Sequence, residues 1–366
     1  MSRDKRMGVM GDQVKDLWDN PVGTDGFEFV EYCSPEPEKL GRLFEQMGFA
    51  AVARHRAKDV TLYRQGDVNF ILNSEPGSFA AEFAKEHGPS ACAMAFRVRD
   101  AAVAFAVALE RGATEVANHV GPMELNIPTL RGIGNSRLYL VDRYGAKGSI
   151  YDVDFVPIAG AAAAPVGLTY IDHLTHNVFQ GNMDRWAGFY EDVFNFREVR
   201  YFDIEGKLTG LHSRAMTSAE GKIRIPINES ADDKSQIAEF LRDYHGEGIQ
   251  HIALGTDDIF ASVEALAARG VGFMNTPDSY YEALDARVPG HGEDVARLRA
   301  NRILLDGAPT EDQGLLLQIF TDTVIGPIFF EIIQRKGNEG FGEGNFKALF
   351  DAIEEDQIRR GVLTED

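Results

Sequence analysis

A chain of 366 residues is longer than one hydrophobic core ordinarily organises, and 44% hydrophobic with 26% charged residues describes a folded, two-domain protein rather than a disordered one. Thirty-seven Lys and Arg against 57 Asp and Glu leave a formal charge of −20, which disfavours binding of nucleic acid or anionic lipid through a basic face. Two cysteines, Cys33 and Cys92, cannot build a disulfide framework or a thiolate zinc site, and the N-terminus lacks the apolar core of a signal peptide, so a reducing cytoplasm is expected.

Taken in chain order, Phe27–Phe49 reads as a strand, FEFVEY, followed by an amphipathic helix, EKLGRLFEQMGF. VTLYRQ and VNFILN then read as strands. ACAMAFRV, another strand, leads into RDAAVAFAVALERGA (Arg99–Ala113), a helix with an acidic cap and an Arg-Gly stop. Ile158–Gly167, IAGAAAAPVG, is small, uncharged and broken by one proline, which predicts a linker. Beyond it the order repeats. DHLTHNVF and DRWAGFYEDVFNF open the second half, and QHIALGT leads into DDIFASVEALAARGV (Asp257–Val271), the counterpart of the earlier helix. The strand-like segments LTGLHSRAM, KIRIPIN, LLLQIF and FFEIIQ complete it. The most apolar stretch, Val324–Ile333, spans ten residues and contains Pro327 and Glu331, too short and too polar to cross a bilayer. The expectation is an α+β protein of two tandem βαβββ-type domains with curved mixed sheets: 20–157, a linker at 158–167, 168–340, and a C-terminal helix over 341–362.

Nine histidines occur, and His55, His87, His119, His245 and His291 lie in polar or Gly-rich surroundings that predict solvated loops. Glu331 is different, because a carboxylate inside PIFFEIIQR must be paired, hydrogen-bonded or bound to a metal if it is buried. His251 lies within the short apolar strand GIQHIALGT. His173 and His176, three apart in DHLTHNV, point to opposite faces of a strand, and His173 is the better inward candidate. His173, His251 and Glu331 together have the composition of a two-histidine, one-carboxylate iron(II) triad; zinc accepts the same donors, so composition leaves the metal open. When the two repeat helices are superposed, Ala93 falls opposite His251, so the first half has the frame without the ligands.

DHLTHNV, GIQHIALGTDDI, LLLQIFT, FFEIIQRKG and FGEGNFKALFDAIE, with LRGIGNSRLYLVDRYG in the first half, resemble the 4-hydroxyphenylpyruvate dioxygenase family of the vicinal-oxygen-chelate fold. The resemblance implies one iron(II) per chain on His173, His251 and Glu331, with O2 as co-substrate. It implies conversion of the 2-oxoacid 4-hydroxyphenylpyruvate to homogentisate and CO2 in tyrosine and phenylalanine catabolism. It assigns Ser213, Asn228, Gln236, Gln250 and Gln318 to orienting the substrate by hydrogen bonds. It places Pro226, Phe320, Phe329, Phe341, Asn345 and Phe346 around the substrate, with the C-terminal helix as a cover. It further suggests a homodimer or homotetramer and no nucleic-acid or membrane partner. Two alternatives stand beside it: a 4-hydroxymandelate synthase, which shares substrate and triad, and a non-catalytic binding protein on the same fold.

Overall fold

The computed structural model describes residues 16–118, 120–121, 123–161, 164–205, 210–342, 344–345, 347, 357–358 and 360–361. The C-terminal segment expected as a helix therefore lies mostly outside the described residues, as do Phe346 and His119.

The first sheet contains β1 (Thr24–Cys33), β2 (Ala50–His55), β3 (Val60–Gln65), β4 (Val68–Asn73), β5 (Ser90–Val98), β6 (Thr129–Arg131), β7 (Arg137–Val141) and β8 (Phe155–Pro157). The second contains β9 (Leu168–Val178), β10 (Arg197–Glu205), β11 (Gly210–Thr217), β12 (Arg224–Ser230), β13 (Gly248–Thr256), β14 (Leu304–Gly307), β15 (Leu315–Phe320) and β16 (Phe329–Lys336). Strand order is β6-β7-β5-β1-β4-β3-β2-β8 in the first and β14-β15-β16-β13-β9-β12-β11-β10 in the second. Apart from the edge strands β8 and β14, each strand has a counterpart, and the pairing senses agree. β1 runs parallel to β4 and antiparallel to β5, while β9 runs parallel to β12 and antiparallel to β13.

The helices repeat as well: α1 (Pro37–Gln46), α2 (Phe79–His87) and α3 (Ala101–Glu110) in the first half, then, after the short α4 (Ile150–Asp154), α5 (Met183–Phe194), α6 (Gln236–Tyr244) and α7 (Ile259–Ala268). The two helices that revealed the repeat share their local chemistry. Asp100 accepts the amide of Val103 and Asp258 that of Ala261, each satisfying an otherwise orphaned helix N–H. Both helices stop before a glycine of positive φ, Gly112 at 97° and Gly270 at 82°. Helices α2 and α6 were not expected from the sequence. His87, expected in a solvated loop, is instead buried on α2, with Nδ1 2.7 Å from the carbonyl oxygen of Tyr244.

The helix-bearing faces of both sheets share one continuous apolar core, in which Phe70 lies on Phe330 at 5.8 Å and Phe96 meets Phe194 and Phe196 across the domain junction. The opposite, concave face of each sheet is left for something else.

Register on that face departs from simple alternation at matching places. His173 pairs with Ala253 but Ile171 pairs with Leu254, so Asp172 is an extra residue, a β-bulge. His251 pairs with Thr175 but Ile249 pairs with His176, so Gln250 is a second bulge. In the first sheet Glu28 and Cys92 are bulged in the corresponding positions, because Phe27–Phe96 is followed by Phe29–Ala95 and Glu31–Ala93 by Tyr32–Ala91. Duplicated bulges are a stronger mark of common construction than duplicated helices, because irregularities of this kind are features of a particular strand pairing.

Candidate metal centre

His173 on β9, His251 on β13 and Glu331 on β16 come together on the concave face of the second sheet. Their pairings explain the convergence: Ala253 stands between His173 and Glu331, and its methyl leaves room above the sheet for the flanking side chains to meet. Imidazole Nε2 of His173 lies 3.1 Å from Glu331 Oε2, and Nε2 of His251 lies 3.4 Å from the same oxygen. All three residues are buried, and one ligand atom from each falls within 4.8 Å of the others. His176, on the opposite face as expected, shares a 2.7 Å hydrogen bond through Nε2 with the Tyr190 hydroxyl of α5, and burial pushes it down to about 3, so it stays neutral.

The remaining donor atoms of the cluster are already engaged. Asp172 Oδ1 sits 2.9 Å from His173 Nδ1, and its carboxylate is gripped by Arg335 at 2.7 and 2.8 Å. Burial alone would raise the Asp172 pKa, but the guanidinium of Arg335 outweighs it and holds the carboxyl well below the usual range. A carboxylate can only accept, so in the neutral ring that a metal requires the proton of His173 resides on Nδ1 and the Nε2 lone pair is presented to the cluster. Gln250 Oε1 does the same for His251 Nδ1 at 3.2 Å. Both positioning groups are the bulged residues: a bulge turns two successive side chains toward one side, which a regular strand cannot do. Gln250, expected to orient a substrate, is thus engaged with the ring of the neighbouring histidine.

Glu331 is oriented in a similar way. Gln318 Nε2 donates to its Oε1 at 2.7 Å, Asn345 Nδ2 donates to Gln318 Oε1 at 2.8 Å, and the Tyr280 hydroxyl donates to Asn345 Oδ1 at 2.7 Å. This relay leaves Oε2 as the free oxygen. Two Nε2 lone pairs and one carboxylate oxygen, each fixed through its other end, form a donor set that fits a divalent transition metal.

Aromatic rings wall the cluster. Phe329 stacks on His251 at 4.8 Å, Phe320 meets both at 6.3 and 6.1 Å, and Phe341 lies 6.2 Å from His173. On the neighbouring strands Ser213 pairs with Asn228, and Asn228 with Asn177. Ser213 Oγ, Asn228 Oδ1 and Asn177 Nδ2 are buried and find no hydrogen-bond partner among the described residues. Pro226 is buried two residues before Asn228, and Gln236 opens α6 at 9% exposure. Thr175, whose hydroxyl lies 2.9 Å from His251 Nε2, and Asn177 were missed in the sequence, although alternation from His173 places both on its face. Asp172, Arg335 and Tyr280 were missed too; Asp172 depends on the bulge, and Tyr280 acts through contacts far away in sequence.

Without metal, Glu331 and His173 form a buried ion pair. Burial would lower His173, but Glu331 and Asp172 outweigh it and push the imidazole up to about 9; Glu331, which burial would raise, is drawn down to about 2 by the two histidines. His251 is lowered, burial outweighing its contact with Glu331. The folded-state pKa of His173 is raised, so its stabilising effect is full below its ordinary 6.5 and fades as pH rises through about 9. A metal requires the neutral ring, so uptake at pH 7 is expected to release about one proton per chain, and none well above pH 9. Calorimetric metal titration in two buffers of different ionisation enthalpy measures this; uptake at pH 7 without proton release would contradict it.

Comparison with known proteins agrees with this architecture. Residues 18–156 match the family model described as hydroxyphenylpyruvate dioxygenase, N-terminal, and residues 170–286 match the glyoxalase/bleomycin resistance protein/dioxygenase superfamily. The tandem curved sheets thus define a two-domain protein of the glyoxalase and dioxygenase superfamily. The chain is 66% identical to the 4-hydroxyphenylpyruvate dioxygenase of Pseudomonas aeruginosa over 94% of its own length and 97% of the relative's. It is 68% identical to a protein named hemolysin VllY from Vibrio vulnificus, over 94% and 98% of the two chains. A solved mutant of 4-hydroxymandelate synthase from Streptomyces coelicolor superposes with a TM-score of 0.77 at 28% identity, covering 92% of this chain and 99% of that one. The chain belongs to the 4-hydroxyphenylpyruvate dioxygenase family. No helix among the described residues is long and apolar enough to cross a membrane.

Proposed function

We propose that this chain converts 4-hydroxyphenylpyruvate and O2 to homogentisate and CO2, with iron(II) held by His173, His251 and Glu331. The observation that carries the reading is the buried convergence of two imidazole nitrogens and one carboxylate oxygen whose other ends are all engaged. Such a facial set suits iron(II), which when bound supplies the redox chemistry toward oxygen and the positive charge that a −20 chain otherwise lacks.

The chain's own residues do the rest. Asp172 and Gln250 fix the two imidazoles, and the Gln318–Asn345–Tyr280 relay fixes Glu331. Phe320, Phe329 and Phe341 clamp the aromatic ring and exclude water. Ser213, Asn228 and Asn177 receive the polar end of the substrate remote from the metal. Asn177 stands four residues from His173 on the same strand face, about 13 Å away, which suits an elongated molecule with an oxoacid at one end and a phenol at the other. Pro226 and Gln236 complete that end. Domain 168–340 carries the chemistry, and domain 20–157, joined by the linker at 158–167, is an interface domain of a homodimer or homotetramer. Two buried free thiols, Cys33 and Cys92, accord with a reducing cytoplasm.

The test is anaerobic reconstitution with iron(II) and 4-hydroxyphenylpyruvate, followed by oxygen. Homogentisate with stoichiometric CO2 is expected. Hydroxymandelate as product would reassign the reaction, and an oxygen-inert protein that merely retains ligand would replace the enzyme with a binding protein.

A further inference from the structure

The first sheet has the same cup as the second, and it is not filled with apolar side chains. In place of His173, His251 and Glu331, the matching positions carry Phe29, Ala93 and Tyr139, so no metal site remains. Two residues along, Glu31 pairs with Ala93 and Ala93 with Arg137. This is the arrangement seen at His173–Ala253–Glu331: two long side chains flank an alanine, about 10 Å apart at their backbones, and lean over it.

In the metal domain the flanking side chains meet. Here they do not form an ion pair. Glu31 is 5% exposed, and its Oε1 accepts from the neutral Asn73 amide at 2.7 Å. Arg137 donates from Nη1 to the amide oxygen of Asn118 at 3.4 Å and lies over the Phe79 ring at 4.2 Å, while its buried Nε finds no partner among the described residues. The Tyr139 hydroxyl touches both charges and neutralises neither; burial outweighs these contacts and raises the Glu31 pKa. A buried carboxylate and a half-buried guanidinium that attract one another across the cavity, yet are each hydrogen-bonded only to neutral groups, are a rare arrangement.

Both line a cavity of about 390 Å³, within the range of small-molecule sites. Its other charged groups have partners: Lys58 pairs with Glu124 at 2.8 Å, Asp154 accepts the Leu125 amide, and Glu75 accepts the Asp59 amide. Phe29, Ile71, Ile127 and Phe155 supply an apolar wall.

We propose that this cup is a second ligand site, separate from the metal centre, that takes a zwitterionic α-amino acid with an apolar or aromatic side chain. Its carboxylate sits on Arg137, its ammonium on Glu31, and its side chain lies against the apolar wall. A ligand with only one of the two charges satisfies one residue and is repelled by the other, so the pair selects a zwitterion. The site is independent of the dioxygenase reading, because no residue of the metal cluster takes part.

Equilibrium dialysis of the full chain with labelled L-phenylalanine as probe tests it. One saturable site per chain is expected, weakened about tenfold or more by Arg137→Gln and by Glu31→Gln and partly restored in Arg137→Lys. Phenethylamine and 3-phenylpropionate, each carrying one charge, should compete poorly. Glu331→Ala should bind phenylalanine as the wild type does; loss of binding there would move the amino acid to the metal centre and overturn the proposal. So would the absence of saturable uptake up to about 1 mM, or undiminished binding by an Arg137→Gln protein of wild-type circular dichroism. If Arg137→Gln does not fold, Ala93→Leu, which fills the floor between the two charges, takes its place, and unchanged binding by that variant has the same meaning.

Discussion

Glu331→Ala is expected to retain no metal after purification and to consume oxygen with 4-hydroxyphenylpyruvate at less than about one hundredth of the wild-type rate. Losing a residue that merely orients a metal ligand already lowers affinity or activity about 10–100-fold, so losing the one carboxylate of the set sets that figure as a floor. The fold should survive. Once the carboxylate is gone only Asp172 holds the His173 pKa up against burial, and the ring, whether neutral or paired with Asp172, carries no unpaired charge into the core. The larger disturbance falls on Gln318, whose amide loses its acceptor and leaves a buried N–H unsatisfied at a cost of about 1–3 kcal/mol. Glu331→Gln separates the two effects: it preserves volume and an oxygen for Gln318 but not the anionic donor, and it should be equally inactive. Metal analysis, circular dichroism and an oxygen electrode measure all three. Normal turnover by either variant would refute Glu331 as a ligand.

Asp172→Asn is expected to damage both stability and metal binding, although Asn occupies almost the same volume. Asp172 is fully buried, and it accepts two bonds from Arg335, one from His173 and a weaker one, 3.3 Å, from the Tyr170 hydroxyl, with Arg224 at 3.6 Å. Removing its charge leaves the guanidinium of Arg335 buried without a counter-ion, a change that typically costs about 3–5 kcal/mol. Metal affinity should fall about 10–100-fold, because the amide can offer its nitrogen to His173 Nδ1 and so favour the wrong tautomer. Asp172 is an acid whose pKa is depressed by folding, so its contribution is present above the ordinary 3.8 and is lost as pH falls further. Chemical denaturation of the metal-free protein at neutral pH, alongside metal titration, separates the two losses. A variant with unchanged stability would show that Arg335 has another counter-ion.

Legibility of the site followed the range of the signal that encodes it. The opposite facing of His173 and His176 follows from a side-chain period of two, a property of three consecutive residues, and the structure has it: one imidazole in the metal cluster, the other on Tyr190. Burial of Glu331 was legible because phenylalanines flank it. The family resemblance named Gln318 and Asn345 as pocket residues, but not the relay from Tyr280 through Asn345 and Gln318 to Glu331. That relay joins three segments distant in sequence, and no local pattern marks it.

The sequence by itself determined the duplicated α+β plan, the pairing of Ala93 with His251, and the three residues whose chemistry suits a metal. These rest on composition, on capping and on local periodicity, all contained within a dozen residues. The tertiary structure alone decided the bulges at Asp172 and Gln250, because a bulge is a mismatch between two strands and belongs to neither sequence alone. Those mismatches aim Asp172 at His173 and Gln250 at His251. It alone also decided that the first sheet, without metal ligands, holds Glu31 and Arg137 across Ala93 in a cavity, since only pairing across three strands brings residues 31, 93 and 137 into one row.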